Sequence, residues 1–355
     1  MHALYQWDTH RTKADESPCQ DGTKALAHTL RGGNKHVRYW IAPLIYIATL
    51  ATHLCGGSAG REGTALQMGG GLAATLTHRF HEPQARRWLI ACGMVACFAA
   101  VFGTPLAAAF FCYELARKES PHWCSLPLYC IVAYIADAFA HYSFGISHTD
   151  FHSLQPSSHA SWRSPRWWIA CLILALSCAM AANLFQASVE KTKTILQKKV
   201  RSPWARPFVG ACALIVLLFA IGTDDYLGLG IDPRHPGGVS ITSSFHAQGA
   251  TWWSWLAKLI FTAITLGSGF KGGEVTPLFF IGASLGNLIA TLTHAPLSDF
   301  AAAGMVAVFA AASRCPIACI LMGCELFGWQ QAPFLILVCG IAFRFSRKKS
   351  IYDRD

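Results

Sequence analysis

The chain has 355 residues, 53% hydrophobic and only 14% charged, with a mean hydropathy of +0.35 and a formal net charge of +10. A soluble domain carries about a quarter charged residues, so this composition excludes an ordinary soluble fold and points to an all-α polytopic membrane protein. The positive balance does not indicate nucleic acid as a partner, because no stripe of Lys and Arg interleaves with aromatics on a soluble module.

In chain order, residues 1–36 are polar, carry no secretory leader pattern, and read as an incomplete start to a first membrane unit. Apolar stretches of spanning or near-spanning length follow at 37–55, 88–112, 124–140, 167–187, 207–222, 252–267, 277–293, 300–325 and 332–345. Gly or Pro interrupts several of them, as in the broken helices of transporters. This gives a first membrane repeat at 37–160, a second at 161–346 and a short basic and polar tail at 347–355. Lys191 to Arg206 holds six Lys or Arg and Arg344 to Lys349 holds four. Such clusters at helix ends read as cytoplasmic anchors or as solvated loop charge. "HTDFH" (His148, Asp150, His152) offers metal-ligand side chains on a short polar link with no further ligand in view, and no metal or cofactor is expected. The 14 Cys form no CxxC pair. Cys55, Cys92, Cys97, Cys112, Cys171, Cys178, Cys212, Cys319 and Cys324 lie within or beside apolar segments and read as small core residues.

The chain repeats itself at an offset of 211–212 residues. "LCGGSAGREGTAL" (54–66) lies over "LGSGFKGGEVTPL" (266–278), so that Gly60 meets Gly272, Glu62 meets Glu274 and Thr64 meets Thr276. "FAAVFGTPLAAAFFCYEL" (98–115) lies over "FAAASRCPIACILMGCEL" (309–326), aligning Pro105 with Pro316 and Glu114 with Glu325. A duplicated membrane chain places its ligand site near the midplane between halves. The same offset carries the partners of 167–187 and 207–222 to before or at residue 1. The expectation is a chain that lacks the first helices of its first repeat.

Each glycine-rich motif precedes a helical run, "TALQMGGGLAATL" or "PLFFIGASLGNLIATL". The first amides of a helix have no intrahelical acceptor and attract anions. Glycine lets the backbone come close, and irregular backbone at membrane depth belongs along a cavity. Two facing helix starts would hold an anion without a full positive charge. Glu62 would sit in the anion's own place when ionised and leave it when protonated, coupling protons to anion access. The competing reading pairs it permanently with Arg61 or Arg38. Glu114 and Glu325 read as carboxylates at a helix's water end, and Glu274 as a helix cap.

"GREGTALQMGG", "GTPLAAAFFCYEL", "GFKGGEVTPLFFIGASLGN" and "PIACILMGCELFG" resemble the CLC family of chloride channels and anion/proton antiporters, over residues 37–352. The resemblance implies an inverted-repeat bundle of tilted and broken helices. It implies a multi-pass homodimer in the lipid bilayer of the inner membrane, moving a halide anion and protons, and not an enzyme. It makes Glu62 the gating glutamate and lines the anion pathway with Gly60, Arg61, Gly63, Thr64, Gly272, Gly273, Glu274, Val275, Thr276 and Tyr352. Thr23, with Lys24, stands where the family's first anion loop falls, although "DGTKAL" departs from its pattern. Thr64 replaces the family's usual Pro, and Thr276 its usual apolar residue. Both resemble the bacterial fluoride/proton antiporter branch. Thr64 restores an amide that Pro lacks, and added donors suit a strongly hydrated anion. Leu115 stands where chloride/proton exchangers of the family keep an inner proton glutamate.

Fluoride/proton antiport is therefore the first expectation. A chloride channel or chloride/proton exchanger of the same family is the second, and a truncated, non-transporting remnant the third. "GGSAG" (56–60) also fits the G-x-S-x-G pattern of serine hydrolases, with Ser58 as nucleophile and His53 nearby. The repeat argues against it, because Ser58 aligns with Phe270 whereas the glutamate is kept.

Overall fold

The computed structural model describes residues 22–31, 41–77, 80, 82–116, 123–148, 151 and 164–353. Among these residues the chain is helical and contains no strand. The helices are α1 (Gly22–Leu30), α2 (Ile41–Leu54), α3 (Glu62–Leu76), α4 (Pro83–Phe102), α5 (Pro105–Ala116), α6 (Leu126–Phe144), α7 (Pro165–Lys199), α8 (Ala205–Ile221), α9 (Ser254–Gly267), α10 (Val275–Thr293), α11 (Leu297–Ser313), α12 (Pro316–Phe327) and α13 (Ala332–Phe345). Four helical segments are long and apolar enough to cross a bilayer, and seven shorter ones of 10–17 residues are also apolar. Apolar side chains cover much of the outside, including Ile47 and Leu50 of α2, Ile131 and Ile135 of α6, and Ile215 and Phe219 of α8. Such a surface belongs against lipid, and the chain is a multi-pass membrane protein.

The repeat is visible helix by helix. The pairs α2/α9, α3/α10, α4/α11, α5/α12 and α6/α13 begin at nearly the same offset, while α7 and α8 have no counterpart among the described residues. Two apolar stretches that read as continuous are each two helices. The first breaks at Gly103 (φ +65°) and the second at Arg314 (φ +63°), which are equivalent positions in the repeat. Pro105 and Pro316 start the second helix of each pair, where a missing amide costs nothing. A left-handed Arg is strained. Arg314 is held there because its guanidinium donates to Phe343 O and Ser346 Oγ and lies 3.7 Å over the Phe343 ring.

The core is the crossing of α10 and α11. Fourteen residues from Phe300 to Ser313 are all buried, and a Cβ on Gly282 or Gly304 would overlap the other's backbone carbonyl. Gly69 of α3 and Gly93 of α4 meet in the same way. Small residues bring helices together in lipid, where there is no hydrophobic drive to do so.

Three expectations need correction. Residues 1–36 contain α1, which is buried through Leu26 and Ala27 and packs beside α3 and α4. Nine residues flanked by charge were too short to register as an apolar stretch. Glu114 and Glu325 do not simply face water: both are half-buried, and each caps a helix start. The Glu325 carboxylate accepts the Leu106 and Ala107 amides of α5 at 2.9 Å each. The Glu114 carboxylate accepts the Ile317 and Ala318 amides of α12 at 3.3 and 2.8 Å. Each half thus caps the other half's broken helix. Finally, Cys55 and Cys212 are exposed rather than in the core.

Candidate functional site

The two glycine motifs meet. Gly60 N–H donates to Gly273 O at 2.8 Å, and Gly273 N–H donates to Gly60 O at 2.6 Å, an isolated antiparallel bridge. Glycine is required by proximity: a Cβ on Gly273 would stand 2.8 Å from the Gly63 nitrogen, and one on Gly63 would stand 3.1 Å from Gly273 Cα. The amides of Gly60 and Gly273 are therefore used on each other and are not available to a ligand.

The helix-start amides remain. Ala65 N–H is the first of α3 to reach back to Arg61 O, and Leu278 N–H does the same to Glu274 O in α10. Glu62, Gly63 and Thr64 on one side, and Val275 and Thr276 on the other, therefore have no intrahelical acceptor for their amides. The buried Glu62 carboxylate lies between these ends. Its Oε2 accepts the Arg61 amide at 3.0 Å and the Thr276 hydroxyl from the opposite motif. The Arg61 side chain is exposed and forms no ion pair with Glu62, and Arg38 lies outside the described residues. The Thr64 hydroxyl donates to Arg61 O at 2.5 Å, so only its amide can face a ligand.

A cavity of about 370 Å³ opens against these turns. It brings together Thr23, Gly63, Thr64, Gly272, Gly273, Glu274 and Tyr352, whereas Gly60, Arg61, Glu62, Val275 and Thr276 do not line it. Thr23 enters on α1, and its hydroxyl accepts from Gln67 Nε2 at 2.5 Å. Gln67 lines the cavity too and was missed in the sequence. The signal was present, since Gln67 follows Thr64 by one helical turn. Glu274 is the residue preceding α10, but its side chain makes no cap bond. Tyr352 is held by the chain end. Ile351 N–H donates to Ala312 O, Ser350 Oγ to Ser313 O, and Arg31 pairs with Asp353 at 2.5 Å. The Tyr352 ring stands edge-on to Phe111, and its buried hydroxyl has no hydrogen-bond partner. The walls also carry Lys24, Lys193, Arg206 and Lys271 against Glu190 and Glu274, a net positive lining. Lys193 and Arg206 belong to the basic cluster read as a membrane anchor, so part of it faces the cavity.

The hydrolase reading fails on geometry. Ser58 Oγ pairs with Thr262 Oγ1 at 3.0 Å, and the buried His53 Nε2 has no hydrogen-bond partner. Of the "HTDFH" group, Asp150 and His152 lie outside the described residues, and His148 stands 3.8 Å from Asp137.

A family model described as "Voltage gated chloride channel" matches residues 3–347. The chain belongs to the voltage-gated chloride channel (CLC) family. A "Chloride/fluoride channel protein" of Pseudomonas syringae pv. tomato is 36% identical over 342 residues, covering 94% of this chain and 73% of that relative. The "H(+)/Cl(-) exchange transporter ClcA" of Yersinia pestis is 26% identical over 339 residues, 89% of this chain and 68% of the relative. Among solved structures, a CLC-type fluoride/proton antiporter matches with TM-score 0.86 and 32% identity, covering 99% of this chain and 84% of that one. A slow cyanobacterial Cl-/H+ antiporter matches in fold, with TM-score 0.72 at 22% identity over 99% and 83% of the two chains.

Proposed function

We propose that this CLC chain carries a small halide, fluoride in preference to chloride, across the inner membrane in exchange for protons. It is a homodimeric transporter and not an enzyme. The observation that carries the reading is the Glu62 carboxylate, which accepts one donor from each of the two opposed motifs. A carboxylate there occupies the place an anion would take. Protonation removes its charge and frees the donors, so one side chain links the two ions. Gly63, Thr64, Val275 and Thr276 supply the remaining donors, and the Tyr352 hydroxyl supplies one from the cavity side. Gly60 and Gly273 hold the two turns together, and Gly272 flanks that contact. The positive cavity wall draws anions toward them.

Fluoride is favoured by the donors in place of the family's usual residues, the Thr64 amide and the Thr276 hydroxyl. Small, strongly hydrated anions need more donors to replace lost water. The likeness to a chloride/fluoride channel protein and to a fluoride/proton antiporter agrees with this. Leu115 offers no inner proton carboxylate, and its carbonyl accepts from Arg31 Nε at 3.0 Å. Protons then reach Glu62 through the cavity, whose lining carboxylates are Glu190 and Glu274.

The test is efflux from proteoliposomes followed with fluoride and chloride electrodes, comparing the chain with Glu62→Gln. Wild type should release fluoride faster than empty vesicles, and an anion gradient should drive protons uphill. Glu62→Gln should lose the proton movement. No release of either ion above empty vesicles sinks the transport reading, and release of chloride but not fluoride sinks the assignment to fluoride.

A further inference from the structure

Between α8 and α9 runs a long loop, and at its start the chain makes a tight turn. Asp224 O accepts the Leu227 amide at 3.0 Å, which fixes Asp224 and Asp225 side by side. A second turn, in which Gly238 N–H donates to His235 O at 2.9 Å, fixes His235 opposite them. One oxygen of each aspartate and a ring nitrogen of the histidine all lie within 4.8 Å of one another.

Asp225 is the informative member. It is 6% exposed, and its Oδ1 has no hydrogen-bond partner. His235 Nε2 stands 3.2 Å from that oxygen and 3.7 Å from Asp224 Oδ1, without hydrogen-bond alignment to Asp225. A buried carboxylate oxygen left without a donor is costly. Two ligand atoms on one tetrahedral zinc ion, with bonds of about 2.0–2.1 Å, stand about 3.3 Å apart. The Asp225–His235 separation already matches, and an Asp224 oxygen lies within 4.8 Å of both. Its other oxygen is steadied by Arg234 at 3.0 Å, as the ligands of a metal site are oriented by a hydrogen bond behind them.

We propose that Asp224, Asp225 and His235 bind a divalent transition-metal ion, zinc, with water completing the shell. Two carboxylates and an imidazole suit zinc, whereas calcium and magnesium want six or more oxygens. The site lies apart from the halide cavity and does not depend on the transport reading. Tyr226 O and Gly228 O, one and three residues past Asp225, accept the ammonium of the fully buried Lys258 at 3.2 and 2.8 Å. Zinc would brace the loop that holds this lysine.

The test uses the full chain in detergent, dialysed against buffered zinc and assayed by elemental analysis, with cobalt as a visible-absorption probe. Wild type should retain one more zinc per chain than the double variant Asp225→Asn, His235→Gln, and should give tetrahedral cobalt bands that the variant lacks. His235→Gln alone, at a half-exposed side chain, guards against misfolding of the double variant. It should weaken binding by more than the roughly 10–100-fold that loss of a ligand's supporting hydrogen bond costs. His246→Gln on the same loop should bind as wild type does. Equal zinc in wild type and His235→Gln, with both eluting as one symmetrical peak, overturns the site, and so does loss of zinc in His246→Gln alone.

Discussion

Replacing Glu325 by Ala tests whether reciprocal capping holds the halves together. The carboxylate accepts two amides, from Leu106 and Ala107, both at 2.9 Å. Removing it orphans two donors at the start of α5, each costing about 1–3 kcal/mol where water is scarce. Because the residue is only partly buried, the expected loss is about 2–4 kcal/mol. Glu325→Gln keeps one acceptor oxygen and should lose about half as much. Glu114→Ala should cost less than Glu325→Ala, because its bond to Ile317 is longer, at 3.3 Å, and exposed. The assay is unfolding by denaturant titration in detergent, read as the shift in midpoint for each variant. The midpoint should fall in the order wild type, Glu325→Gln, Glu325→Ala. A Glu325→Ala midpoint indistinguishable from wild type, or a Gln variant as unstable as the Ala variant, would refute it.

Gly273→Ala should lower halide efflux more than tenfold, because its Cβ would stand 2.8 Å from the Gly63 nitrogen and push the two turns apart; overpacking of this kind costs about 1–3 kcal/mol, so the variant should still elute as a folded protein. Tyr352→Phe removes a buried hydroxyl that has no partner. Its stability should therefore stay within about 0.5 kcal/mol of wild type, while halide affinity by calorimetry falls roughly tenfold, the value of one hydrogen bond to a charge. Arg31→Gln and Asp353→Asn should each destabilise the chain end that carries Tyr352, and a double-mutant cycle on thermal unfolding should show coupling above about 0.5 kcal/mol. Additive effects would show that the pair does not act as a unit.

Much of the site was legible because its chemistry is local. Glycines beside a glutamate at the start of an apolar run mark a helix end wherever they occur, and the 212-residue offset said that two such ends belong together. The break at Gly103 could be read from the glycine, but its equivalent at Arg314 could not. There the left-handed backbone is sustained by Phe343 and Ser346, which lie 29 and 32 residues away. Helix α1 was missed because nine residues among charges carry little hydropathy. The exchange of caps between Glu114 and Glu325 spans 203–219 residues, beyond any local pattern. Yet the repeat held a clue to it, since equivalent glutamates following equivalent broken helices can each serve the other's start. Which donors are used up was also invisible. Only the geometry shows that Gly60 and Gly273 bond each other and that the Thr64 hydroxyl turns back to Arg61.

Two helix starts that face each other bring together two partial positive charges of about half an elementary charge each. Two backbone hydrogen bonds between Gly60 and Gly273 oppose that repulsion, and the Glu62 carboxylate neutralises it, with one bond to each side. The negative charge is therefore part of what keeps the turns in contact. On the proposed reading, a proton that removes this charge lets an external anion take the carboxylate's place, which couples the two ions. In Glu62→Gln the internal anion is gone, and an external one should become a stabilising ligand. At a concentration 100 times its dissociation constant it contributes about 2.7 kcal/mol. Thermal unfolding of Glu62→Gln should rise with added fluoride and stay flat with a large anion such as gluconate, whereas wild type should respond weakly to either. A wild type stabilised by fluoride as strongly as Glu62→Gln would show that the carboxylate and the halide do not compete for one place.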